Sequence, residues 1–174
     1  MPYNQIKTYN DLLEIEHYSK PERDATLKKI FKRDIEDSGL QFMKKSVYPN
    51  KLEDHQTTMD TLYNHLTRKV YDLENDTSPR EFDPFRSKRL HWIKDHIAEK
   101  CAKECLIFSC VIRNQKKKRN EDRVFIFNKV ENYVLVMAPY RDGTAYYLLT
   151  AYYVRGAETS SIMNKYARRL KEMF

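Results

Sequence analysis

The segment FDPFRSKRLHWIKDHIAEKC gathers Arg86, Arg89, His91, Trp92 and His96 within eleven residues. Imidazoles exchange protons near neutral pH, and a guanidinium fork grips phosphate oxygens two at a time. Those groups suffice for one reaction above others, the cleavage of RNA by its own 2′-hydroxyl. There the substrate supplies the nucleophile. The enzyme need only remove a proton, stabilise a pentavalent phosphorane and protonate the leaving 5′-oxygen. Other chemistries have less support, and a Ser or Cys nucleophile stays open without a motif to back it. The chain has no HExxH, no Cys/His quartet and no acidic two-metal cluster, and His91 and His96, five apart, point to different helix sides. Three glycines, Gly39, Gly143 and Gly156, cannot build a phosphate-cradling loop, and no nucleophile elbow is present. No metal and no cofactor is expected.

Each residue also has a plainer role open to it. Arg86 and Arg89 lie on or beside apolar stripes, where they bind phosphate, snorkel from the packing edge, or pair with a structural carboxylate. His91 is the leading proton-transfer candidate, ahead of His96, while Trp92 reads as core. His17, His55 and His65 carry no signal of their own. In the segment AYYLLTAYYV, strand alternation sets Tyr146, Leu148, Thr150 and Tyr152 on one side. The Thr150 and Tyr152 hydroxyls could then donate to one phosphate. The run Lys116-Lys117-Lys118-Arg119, with Arg123 close behind, is either a solvated hairpin tip or a contact that tracks a nucleic-acid backbone.

Charge points the same way. The formal net charge is +7 over 174 residues, and residues 84–123 hold 12 Lys/Arg against 5 Asp/Glu, which accounts for the whole surplus. A concentrated basic patch holds polyanions, whereas a diffuse one only aids solubility. With 13 Tyr and 8 Phe the chain is too aromatic for a disordered one. No stretch approaches the roughly 18 apolar residues of a membrane span, and no signal-peptide block opens the chain. The three cysteines, Cys101, Cys105 and Cys110, form neither a CxxC pair nor an even framework, as expected of buried thiols in a reducing, cytoplasmic setting.

The elements that must position these residues fall into two blocks. Residues 1–80 read as a helical N-terminal region, an accessory or a buttress: a short amphipathic turn over 10–18, a helix over 21–37 that Gly39 stops, and a long helix from about Leu52 to Leu73. After the NDTSPR loop, Asp83-Pro84 starts a helix running to Cys101, with Leu90, Ile93, Ile97 and Cys101 as its buried stripe. The period then changes to strands over 104–113, 123–130, 133–139 and 145–154, joined by short polar turns, and 157–174 closes as an amphipathic helix. The expected fold class is α+β: N-terminal helices, a four-stranded antiparallel meander, and a C-terminal helix.

FDPFRSKRLHWI, YVLVMAP and YYLLTAYYV resemble phage- and mobile-element nucleases of the barnase–EndoU–colicin–RelE superfamily. The likeness covers about residues 82–172, so 81–174 would be the nuclease-like domain. It implies a metal-independent endoribonuclease of toxin or effector type, acting on RNA, with an antitoxin or immunity protein as a possible second partner. On the matching positions Arg89 is the helix-motif arginine with His91 beside it, Thr150 the last-strand hydroxyl with Tyr152 beside it, and Arg123 the basic residue before the second strand. Arg86 and Lys116, Lys117, Lys118 and Arg119 would bind the flanking RNA. Two other functions fit the residues: a non-catalytic RNA- or DNA-binding module of a mobile element, and an interaction domain for an acidic partner.

Overall fold

A computed structural model of the chain describes residues 3–49, 58–70 and 79–174. Helix α1 (Lys20–Phe31) begins where Ser19 and Glu22 form a reciprocal capping box and Pro21 occupies the first turn. A π-helical turn, Lys32–Glu36, extends it, and Gly39 follows at φ +58°. Two strands come next, β1 (Gln41–Phe42) and β2 (Lys45–Pro49), then helix α2 (Thr58–Thr67) and a small ribbon of β3 (Arg68–Lys69) with β4 (Glu81–Phe82). Short helices α3 (Pro84–Ser87) and α4 (Trp92–Ile97) lead into β5 (Cys105–Asn114), β6 (Arg119–Asn128), β7 (Tyr133–Pro139) and β8 (Ala145–Tyr153), and α5 (Ala157–Ala167) follows.

The α+β class, the N-terminal helices and the C-terminal helix are as expected, but the sheet is not a four-stranded antiparallel meander. It has six strands in the order β1-β2-β8-β7-β6-β5 and is mixed, because β2 runs parallel to β8. The two added strands come from the N-terminal block that reads as helical. Met43 and Lys44 both take positive φ, 48° and 65°, which makes a two-residue hairpin turn without the Asn-Gly or Asp-Gly that announces one in sequence. The parallel pairing joins segments about a hundred residues apart, so no local turn could reveal it.

Other elements also depart from the sequence pattern. Residues 10–18 form a strap without helix, irregular over 11–15 and turning over 16–18: Leu13 and Ile15 are buried, Leu12 is exposed, and the Leu13 amide donates to the Lys88 carbonyl at 3.0 Å. The helix expected from Leu52 to Leu73 ends at Thr67, where the chain turns into β3; residues 52–57 and 71–73 lie outside the described residues. The helix expected over 84–101 breaks into α3 and α4, because the link is wound by i→i−3 bonds such as Leu90 N to Ser87 O and Trp92 N to Arg89 O. Its apolar stripe survives, with Leu90, Ile93, Ile97 and Cys101 all buried.

The sheet separates two apolar clusters. One face carries Val124, Ile126, Leu135, Met137, Tyr146 and Leu148 against α1, α2, α4 and the strap, so residues on both sides of position 80 share this core. The other face carries Phe125, Phe127, Val134 and Val136 against Ile162 and Tyr166 of α5. A β-bulge then decides what β8 presents. Val136 pairs with Thr150 and Met137 with Leu148, which leaves Leu149 as an extra residue. Thr150 and Tyr152 are thereby turned to the α5 face, away from that of Tyr146 and Leu148. Among the described residues no helix is long and apolar enough to cross a membrane.

Candidate functional site

Among the described residues strand β2 pairs with residues 145–148 of β8, and α2 and α3 pack against β8 as well. Where β8 leads into α5, these elements enclose a cleft with two lobes. The wider, about 380 Å³, is lined by Lys69, Val70, Arg80, Arg86, Tyr152, Glu158, Ser161, Ile162 and Lys165. The narrower, about 230 Å³, shares Lys69, Arg86, Tyr152 and Glu158 and adds Asp83, Phe85, Tyr153 and Arg155. Five cations, Lys69, Arg80, Arg86, Arg155 and Lys165, therefore face two carboxylates, Asp83 and Glu158. Such an excess in a concave site raises the local concentration of anions.

Arg86 is the hub. Asp83 caps α3 by accepting from the Phe85 and Arg86 amides, which fixes where Arg86 leaves the backbone. Its Nη1 donates to the His65 carbonyl at 2.6 Å and the Arg68 carbonyl at 3.1 Å, groups at the end of α2 that have run out of helical donors. Its Nε lies 3.4 Å from the Asp83 carboxylate. Thr150 Oγ1 sits 3.5 Å from Nη1 and itself donates to the His65 carbonyl at 3.4 Å. The Tyr152 ring is 5.5 Å from the guanidinium carbon. Burial pulls the Arg86 guanidinium below its ordinary pKa, and the nearby Asp83 charge opposes that pull. Burial pushes the Tyr152 phenol up, Glu158 adds to the rise, and Arg86 opposes it, so the hydroxyl stays protonated at neutral pH.

Of the residues singled out from sequence, the fold thus brings Arg86, Thr150 and Tyr152 together. Arg89 is close by but lines neither lobe, its guanidinium carbon 4.2 Å from the Tyr153 ring and its Nη1 donating to the Phe85 carbonyl at 2.7 Å. His91 lies elsewhere. It is buried under the strap, with Nε2 3.2 Å from the Thr8 carbonyl, and burial holds its pKa below the usual imidazole value. His96 is buried as well, in a polar network of its own. Asn128 Oδ1 accepts from the Val130 and Glu131 amides, so its Nδ2 must donate, here to His96 Nε2 at 3.1 Å and Tyr9 Oη at 2.7 Å. That leaves the proton on Nδ1, facing the Trp92 carbonyl at 2.8 Å.

The basic hairpin stands apart from the cleft. Tyr152 is in register with Val134, and Val134 with Phe127. Arg123 is four residues further along β6, about 13 Å at roughly 3.4 Å per residue, and about two strand spacings of ~4.8 Å across. One carboxylate, Glu121, serves three of the cations there: Arg123, Arg119 at 3.3 Å and Lys117 at 3.8 Å. Burial alone would raise the Glu121 pKa, but the Asn114 hydrogen bond and these cations outweigh it and lower the value. Lys116 and Lys118 are exposed at the tip.

Five cleft residues escape a reading of local sequence: Lys69, Arg80, Arg155, Glu158 and Lys165. Only Glu158 and Lys165 leave a trace, since with Ser161 and Ile162 they follow the i, i+3, i+4, i+7 pattern of one helix face. No protein-family model, curated protein or solved structure matches the chain.

Proposed function

We propose that the protein is a metal-independent endoribonuclease whose active site is the cleft at the junction of β8 and α5. The observation that carries this reading is the meeting, in one concave site, of a buried guanidinium (Arg86), a protonated phenol (Tyr152) and a carboxylate (Glu158), ringed by four further cations. Each of the three tasks of 2′-hydroxyl cleavage then has a group. The Glu158 carboxylate takes the 2′-hydroxyl proton. The 2′-oxygen attacks phosphorus, and Arg86, already held by backbone carbonyls, meets the charge gathering on the non-bridging oxygens with Lys69 beside it. The Tyr152 hydroxyl gives its proton to the leaving 5′-oxygen. The products are a 2′,3′-cyclic phosphate and a 5′-hydroxyl.

This assignment shifts the roles away from those the resemblance implies. Arg86 replaces Arg89 as the phosphate ligand, and Thr150 orients Arg86 through its 3.5 Å contact. Arg89 steadies the Tyr153 ring, and His91 and His96 hold structure. RNA is the partner on this reading, met in the cytoplasm, and an acidic antitoxin or immunity protein would be drawn to the same cationic surface. The test is a comparison of folded variants on one RNA substrate. Glu158→Gln, Arg155→Ala and Lys165→Ala should each slow cleavage, whereas Lys116→Ala with Lys118→Ala should leave the cleavage of a short oligonucleotide unchanged. The reverse pattern would move the site to the hairpin.

A further inference from the structure

The narrower lobe ends in a stack of flat side chains that phosphate chemistry does not need. Phe85 follows Pro84 in the single turn of α3 and leaves 43% of its surface exposed, although it is large and apolar. Its ring lies nearly parallel to that of Tyr153, at 15° with centroids 5.9 Å apart. The Arg155 guanidinium carbon sits 3.4 Å from the centroid of Phe85, and that of Arg89 lies 4.2 Å from the centroid of Tyr153. The four make a cluster of π faces and guanidinium planes, with Arg155 leaning over both rings at 5.7 Å from that of Tyr153, and Phe85, Tyr153 and Arg155 open into the lobe that also holds Arg86, Tyr152 and Glu158.

We propose that Phe85, Tyr153 and Arg155 form a nucleobase subsite that makes the cleft selective for single-stranded RNA. This rests on reading the cleft as an RNA site and names the form of RNA it takes. An aromatic face and a guanidinium plane both stack on a base, and Lys69 and Arg86, which line both lobes, stand ready to receive the adjoining phosphate. In a duplex each base is already stacked and paired, so its faces are closed to this cluster. An unpaired base can swing out and lie against Phe85 and Arg155. All four bases offer such a face, so the subsite selects strandedness rather than sequence. Phe85 touches the base and not the scissile phosphate, which makes its contribution separable from that of Arg86.

Fluorescence anisotropy with three 2′-O-methyl oligonucleotides of equal length, which resist cleavage, tests this: single-stranded, duplex, and a strand with abasic positions. The intact protein should bind the single strand most tightly. Phe85→Ala should weaken the single strand by roughly 5- to 100-fold, the range expected for loss of one stacked base, and leave the abasic strand unchanged. Phe85→Trp should restore binding, and thermal melting should show all variants folded. Equal weakening of the abasic strand, or no weakening of the single strand, would overturn the base subsite while leaving the phosphate cleft in place. A preference for duplex would do the same. Failure of all three probes to bind would overturn the subsite and the RNA reading together.

Discussion

Replacing Arg86 by alanine should have two separable effects. The first is on stability. Arg86 Nη1 donates to the carbonyls of His65 and Arg68, and removing it leaves them only longer contacts, from Thr150 Oγ1 and Arg80 Nη1, each at 3.4 Å. Hydrogen bonds from a charged donor contribute ~1.5–3 kcal/mol each. Relief of the cost of burying the guanidinium offsets part of that sum, which leaves a net loss of about 3 kcal/mol. At ~2–4 °C per kcal/mol for a chain of this size, Tm should fall by about 6–12 °C. Asp83 softens the loss, because it keeps the Phe85 and Arg86 amides as donors. The second effect is on function. Single-turnover cleavage, measured well below the melting transition, should drop by roughly 100-fold or more, as for a preorganised donor removed from a transition state. Arg86→Lys should recover part of the stability but little of the rate, since an ammonium cannot span two carbonyls and a phosphate. An unchanged Tm would refute the bracing role. A rate that falls only in proportion to unfolded protein would refute the catalytic one.

Salt titration of RNA binding should give a slope that becomes shallower by about one unit for Arg80→Ala and again for Lys165→Ala, each having lost one phosphate contact; an unchanged slope would remove that residue from the interface. Thr150→Val keeps the strand and loses the hydroxyl between Arg86 and the His65 carbonyl, so kcat should fall modestly, about 3- to 10-fold at a lost positioning bond of roughly 1 kcal/mol, and wild-type kinetics would exclude it from the site. His91 and His96 are both held below the usual imidazole pKa by burial, so the unfolded chain takes up protons that the fold refuses. Their contribution is complete above about pH 6.5 and is lost as the pH falls below it, by up to about 1.4 kcal/mol per pH unit for each. Tm should accordingly drop between pH 7 and pH 5 and drop less in His91→Asn; equal acid sensitivity in that variant would assign the effect elsewhere.

Strands β5 to β8 are legible in the sequence because β-branched and aromatic runs alternate with short polar turns, and Thr150 and Tyr152 are legible as candidates for one phosphate, though with Arg89 as the arginine and Arg86 left to the flanking RNA. What the sequence hides is tertiary. The β1–β2 hairpin turns through Met43 and Lys44, residues with no turn signature, and β2 finds β8 across the length of the chain. The bulge at Leu149 reverses the alternation in β8, so the face predicted for Thr150 changes with one inserted residue. Arg89 and Arg86 cannot be told apart by spacing in one continuous helix; with the chain broken between α3 and α4, Arg86 meets Tyr152 and Arg89 meets Tyr153. Local charge counting favours residues 84–123, yet Lys69, Arg80, Arg155 and Lys165 lie outside that window and meet only in the fold.

The most direct test of the central claim is to incubate the purified protein with RNA in excess EDTA and identify the new ends, with Glu158→Gln alongside. Cleavage undiminished by the chelator, fragments ending in 2′,3′-cyclic phosphate, and a fall of at least about 100-fold in Glu158→Gln are the predicted results. Intact RNA after incubation with the wild-type protein, or cleavage that EDTA abolishes, would contradict it.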